Sequence, residues 1–110
     1  PVEKFLGRKQ TVLNFVGGGA RSDIWCQIFA DVLNLSIRQV TDPIQANARG
    51  AAFIAAVGLG YLKYADIPAM VEFKATYAPN SNNRQIYDKM FHEFVMFYKQ
   101  NKDIYKRLNS

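Results

Sequence analysis

The residues with the most chemistry in this chain are Gly17-Gly18-Gly19-Ala20, which directly follow the apolar run Val12, Leu13, Phe15 and Val16. Consecutive glycines let a backbone come close to a ligand without side-chain obstruction. A helix that follows turns its free N–H groups and positive end towards that ligand. Such a turn suits an anion or a nucleotide; it also suits a tight strand-to-helix connection that binds nothing, and spacing alone leaves both open. A phosphate-binding P-loop needs a lysine and then Ser or Thr after its last glycine, whereas Ala20, Arg21 and Ser22 follow Gly19. The dinucleotide fingerprint is met in part: Gly17, Gly19 and Ser22 stand at the G-x-G-x-x-G spacing, and Asp42 follows about twenty residues later. Against it, Ser22 replaces the third glycine, and Asp42 has a structural role as the cap before Pro43.

The other reactive side chains offer less. One cysteine, Cys26, and one histidine, His92, make neither a zinc-ligand set nor an internal disulfide, so no metal site is expected and a reducing cytoplasm is the expected compartment. His92 falls with Asp88, Lys89 and Glu93 on a polar helix side, and Cys26 sits beside an apolar stripe, so these read as surface and packing residues. Arg21 can reach a phosphate from the turn, though an exposed arginine after a loop needs no function.

The elements that must hold the glycine turn follow from periodicity. The run before it suits a strand covered on both faces, as in parallel sheets. After it, Ser22 or Asp23 can cap a helix in which Trp25, Ile28, Phe29, Val32 and Leu33 recur on one side, ending near Asn34. Ser36 to Val40 is a second strand with Ile37 and Val40 inward, giving a parallel strand-helix-strand crossover. Asp42-Pro43, with Gln45 three residues after the cap, starts a helix to about Val57. Its small residues, Gly50, Ala51, Ala52, Ala55 and Ala56, imply deep burial, and Gly58 and Gly60 stop it. Asp66-Ile67-Pro68 opens a short helical turn. Val71, Phe73, Ala75 and Tyr77 then alternate with Glu72, Lys74 and Thr76 in an extended segment. Pro79 to Asn82 breaks that segment and caps a long final helix striped by Ile86, Tyr87, Met90, Phe91, Phe94, Val95 and Tyr98, which Asn101 to Leu108 either continues or restarts. Val2 to Leu6 reads as the last turn of a helix closed by Gly7.

The class is therefore α/β: strand-helix-strand-helix, an extended segment and a long C-terminal helix. At 110 residues, 49% of them hydrophobic and 21% charged, the composition is that of one ordered domain. The N-terminus lacks a signal-peptide core, and no apolar run approaches the roughly 20 residues that span a bilayer, so no membrane partner is expected. The net charge of +5 is concentrated in the last thirty residues, away from exposed aromatics, which argues for a solvated helix face and against nucleic acid. Two parallel strands with three substantial helices leave edges and apolar faces uncovered. With no initial methionine, the chain is expected to be a piece whose remaining strands lie upstream, or one that pairs with itself as a homodimer.

The stretch GGGARSDIWCQIFADVLNLSIRQV, then the Asp42-Pro43 step and ARGAAFIAAVGLG, resembles the C-terminal part of FGGY-family carbohydrate kinases, most closely the xylulokinase-like members. The resemblance covers roughly Thr11 to Leu62, and the final aromatic-rich helix is similar too. It implies a partial actin-like ATPase (ribonuclease-H-like) domain: residues 1–110 would be the C-terminal part of the second, nucleotide-binding domain, without the N-terminal domain. It implies ATP-dependent phosphorylation of a sugar hydroxyl, with Mg2+ on the phosphates. Gly17, Gly18, Gly19 and Ala20 would lie beside the adenosine and its nearest phosphate, and Asp23 near the adenine. The base and most sugar contacts would lie upstream, so no residue here is assigned a catalytic role, Asp31 and Asp42 included, and the chain alone is expected to be inactive. Gln45, Asn47 and Arg49 stand where many relatives carry an acidic residue, which leaves xylulose, another ketose or a polyol open as substrate. A dinucleotide-dependent oxidoreductase domain and a non-catalytic interaction module are the competing readings.

Overall fold

The computed structural model describes residues 2–109; its first compact unit extends to Pro79 and a second begins at Asn80. Helix α1 (Val2–Leu6) closes at Gly7, whose φ of 65° is the left-handed stop that glycine adopts without strain. Strand β1 (Val12–Phe15) leads through a 3-10 turn, Gly18–Arg21, to helix α2 (Asp23–Leu33). Strand β2 (Ser36–Val40) returns beside β1 in parallel, with Leu13 against Ile37 and Phe15 against Gln39. The expected crossover is therefore present. Ser22 caps α2 by accepting the Trp25 N–H at 3.3 Å, and left-handed Asn34 ends it.

The face that α2 buries differs from the one its large side chains suggest. Cys26, Ala30 and Asp31 are buried, while Trp25, Val32 and Leu33 are 53%, 41% and 44% exposed. The sheet approaches α2 closely over Cys26 and Ala30, which meet Ile37, with Phe15, Phe29 and Tyr77 closing the sides. Of the large residues of α2 Phe29 packs against this cluster, its ring 4.6 Å from that of Phe15 and tilted by 51°.

Strand β3 (Phe73–Tyr77) joins the sheet antiparallel to β2, giving the order β1-β2-β3. The sheet is thus not a two-stranded parallel pair, and the extended segment covers one edge of β2. The register shifts between Gln39 and Val40: Ala75 opposes Gln39 and Phe73 opposes Val40, which leaves Lys74 as the extra residue of a bulge. Both Gln39 and Val40 are buried there.

Asp42 does not cap as expected. It adopts φ 46° and makes no capping bond; a 3-10 turn, Pro43–Gln45, follows, and helix α3 (Ala46–Gly58) begins later than the proline suggests. No residue of α3 is buried, so the small-residue helix lacks the deep packing that its composition implies. A 3-10 turn over Tyr64–Met70 starts with the Lys63 N–H donating to Asp66 at 2.9 Å.

In the second unit Asn80 accepts the Asn82 N–H at 3.0 Å, and after a 3-10 turn helix α4 (Arg84–Leu108) runs unbroken through Asn101. An Arg84–Asp88 ion pair spans its first turn. Its apolar stripe keeps helical spacing but buries no residue.

The small-residue contact under α2 is testable by substitution. Ala30→Leu is expected to cost about 1–3 kcal/mol in urea denaturation because the fully buried site has no room for it. Val32→Ala, on the open side, is expected to stay within about 0.5 kcal/mol of the parent.

Candidate functional site

The glycine turn follows the C-terminal end of β1, and the loop Thr41-Asp42-Pro43 follows that of β2. In open parallel sheets this end is where ligands bind. The two loops are joined by one bond, the Gly17 N–H donating to the Pro43 carbonyl at 2.8 Å. Arg49 holds the second loop from α3, its guanidinium donating to the carbonyls of Thr41 at 2.6 Å and Asp42 at 3.3 Å. An open cleft of about 300 Å³ lies between them, lined by Ala20, Arg21, Gln39, Val40, Thr41, Asp42, Pro43 and Lys74. A neighbouring cleft of about 310 Å³ shares Arg21, Asp42 and Pro43.

The glycines differ in what requires them. Gly17 has φ 85° and ψ −171°, a conformation open essentially only to glycine. At Gly19 a Cβ would stand 3.2 Å from the Phe15 ring, so a larger residue there requires that ring to give by a few tenths of an ångström. Gly18 has neither constraint: nothing lies within 4 Å of where its Cβ would be. It is exposed, and as the first residue of the 3-10 turn its N–H has no intrahelical acceptor.

The turn does not run straight into α2 as the sequence suggests. The 3-10 turn and Ser22, whose backbone is extended, stand between them, so the N-terminus of α2 is closed by its own cap rather than opened by the glycines. Ala20 is fully buried, and its carbonyl accepts from Gln39 Nε2 at 2.8 Å and weakly from Cys26 Sγ at 3.9 Å. Asp23 lies in the first turn of α2, and its Oδ1 accepts from Gln39 Nε2 at 3.0 Å and from Lys74 Nζ at 2.9 Å. Lys74 first and Gln39 second hold the Asp23 carboxyl below the usual carboxylate range, and Asp23 in turn raises the lysine. Gln39 Oε1 accepts from the Tyr77 hydroxyl at 3.2 Å, and burial chiefly, with Asp23 next, raises that phenol. Burial also raises the Cys26 thiol, which suits packing rather than nucleophilic attack.

Gln39, Lys74, Tyr77 and Arg49 are residues of this site that sequence pattern did not single out for it. A polar residue between Arg38 and Val40 in a strand was the one available signal, and it marked Gln39 alone. Among the described residues no three His, Cys, Asp or Glu side chains gather to hold a metal, and no helix is long and apolar enough to cross a membrane. Asp31 is buried and accepts from Gln27 Nε2 at 2.8 Å, away from the cleft lining.

Residues 2–59 match the C-terminal domain of the FGGY family of carbohydrate kinases. A xylulose kinase of Staphylococcus epidermidis is 30% identical over 100 residues, which is 89% of this chain and 20% of that protein. An autoinducer-2 kinase of Enterobacter sp. strain 638 is 34% identical over 101 residues, 88% of this chain and 18% of that protein. The chain thus spans about a fifth of the length of these relatives. The crystal structure of a ligand-bound xylulose kinase from Lactobacillus acidophilus superposes with a TM-score of 0.80 at 23% identity, over 92% of this chain and 21% of that one, a likeness of fold.

The three glycines are expected to respond differently to substitution. Gly17→Ala should lower stability by about 1–3 kcal/mol through backbone strain. Gly19→Ala should displace the Phe15 ring by a few tenths of an ångström, and Gly18→Ala should leave the thermal midpoint unchanged.

Proposed function

Because the chain belongs to the FGGY family of carbohydrate kinases, we propose that it contributes the adenosine side of an ATP site to an enzyme that phosphorylates a sugar hydroxyl. The observation that carries this reading is the cleft at the C-terminal ends of β1 and β2, which Ala20 and Arg21 line from the side of the glycine turn. Its volume of about 300 Å³ is at the lower end for a small-molecule pocket, in keeping with one wall of a larger site. Gly17 and Gly19 fix the turn, Gly18 leaves the backbone bare for adenosine and its nearest phosphate, Ala20 anchors the turn in the core, and Asp23 presents a carboxylate near the base. An ionised carboxylate only accepts hydrogen bonds, so Asp23 favours a donor on the ligand.

The unit formed by β1 to β3 with α2 is part of an actin-like, ribonuclease-H-like domain in this reading, the second of two that close over substrate. Among the described residues no three His, Cys, Asp or Glu side chains gather; in this reading Mg2+ would be held through the phosphates of ATP, where it would neutralise their charge. The sugar, xylulose or a related ketose or polyol, and the base that takes its hydroxyl proton belong to other parts of the enzyme. This chain positions the donor, and its share in catalysis is orientation. The names of the xylulose and autoinducer-2 kinases support a sugar-like acceptor.

Titration calorimetry of the 110-residue chain tests the reading. Saturable binding of ATP or ADP but not of NAD is expected. Gly18→Val should reduce that binding about ten-fold or more, as a side chain obstructs the backbone contact. Binding of NAD alone, or ADP affinity unchanged in Gly18→Val, would overturn it. The chain by itself is expected to transfer no phosphate to xylulose in a coupled assay, and measurable transfer would refute the assignment of the base to another part of the enzyme.

A further inference from the structure

The bulge in β3 has placed a cation where strand alternation would not. With regular pairing, Lys74 would stand on the outer face with Glu72 and Thr76. Because Ala75 opposes Gln39 and Phe73 opposes Val40, Lys74 is the unpaired residue of the bulge, and it meets the first turn of α2. Bulges recur next to functional sites because they re-aim a side chain in this way. Lys74 also lines the cleft beside the glycine turn.

From this geometry we propose that Lys74 is a positioning residue of the nucleotide site, holding the Asp23 carboxylate in one orientation beside the glycine turn. The inference rests on the nucleotide reading above. Two donors converge on the same oxygen of Asp23: Gln39 Nε2 at 3.0 Å and Lys74 Nζ at 2.9 Å. Gln39 is 1% exposed and is itself tied to the Ala20 carbonyl and the Tyr77 hydroxyl, so it cannot follow a moving carboxylate. Lys74 and Asp23 have side chains 56% and 59% exposed, so their pair contributes little to folding. Its effect is local. Both donors sit on Oδ1, which sets the orientation of the carboxylate against the sheet.

The charged and titratable groups around Asp23 are Lys74 and Tyr77 from β3, Cys26 from α2 and Arg21 from the glycine turn; β2 contributes the uncharged Gln39. Lys74 is the largest cause of the low carboxyl value. A lowered value keeps Asp23 ionised to lower pH, so the orientation persists above it and is lost as pH falls through it.

The test compares the parent chain with Lys74→Met and Lys74→Arg by ADP titration across the acid range and by carbon-detected NMR of the Asp23 carboxyl. Lys74→Met should keep the parental thermal midpoint, bind ADP about five-fold more weakly, and lose affinity at a higher pH than the parent. Its Asp23 carboxyl should titrate closer to the ordinary carboxylate range, and Lys74→Arg should restore both. Parental ADP affinity in Lys74→Met, or an unmoved Asp23 titration, would overturn the role of Lys74 alone. Absence of ADP binding by the parent chain would remove the nucleotide reading and this inference together. If Lys74→Met does not fold, Lys74→Gln carries the same comparison.

Discussion

The buried amide of Gln39 is the constraint on which this site depends. Its nitrogen has two hydrogens, and both are used, one on the Ala20 carbonyl and one on Asp23 Oδ1; its oxygen accepts from Tyr77. One side chain on the central strand therefore ties the glycine turn, the first turn of α2 and the end of β3 together. Replacing it with an apolar residue would strand a buried carbonyl and a phenol, and unpaired buried polar groups cost more than their bonds contribute. The contact is polar at the centre of a small core, where Cys26, Ala30 and Ile37 supply little apolar bulk.

Around that amide the two loops at the strand ends are held by backbone and by one arginine. Gly17 donates to Pro43, and Arg49 gathers the carbonyls of Thr41 and Asp42. Asp42 sits at positive φ, a conformation that aspartate tolerates better than most non-glycine residues, and the arginine occupies the carbonyls on either side of that residue's backbone. The cleft is thus walled by parts whose positions are fixed from outside it, which is what a site needs if binding is not to reorganise it. Of the three glycines in the turn, Gly18 is the one with neither a positive φ nor an atom within 4 Å of where its Cβ would be.

How much of this could be read from the sequence varies by element. The parallel crossover was legible because Val12 to Phe15 and Ser36 to Val40 flank an amphipathic segment with a capping Ser22 and a terminal Asn34. The buried side of α2 was not, since Trp25 and Val32 carry more apolar surface than Cys26 and Ala30, while close approach of a sheet selects for small size. The Asp42-Pro43 pair carried a start signal, but the proline's fixed φ served a 3-10 turn and the aspartate served the loop. The composition of α3 and the stripe of α4 promise burial that neither helix has in this chain.

For the candidate site, the sequence alone marked the glycine turn and the neighbouring Asp23, because consecutive glycines between a strand and a cap are a local signal. It also determined the family, through an ordered series of short matches from Gly17 to Gly60. Only the tertiary structure decided which glycine is free, because that depends on the Phe15 ring and on backbone angles. It alone brought Lys74 and Gln39 to Asp23, since a bulge opposite Gln39 changes which face a strand residue presents, and pairing register is a property of two segments rather than of either one.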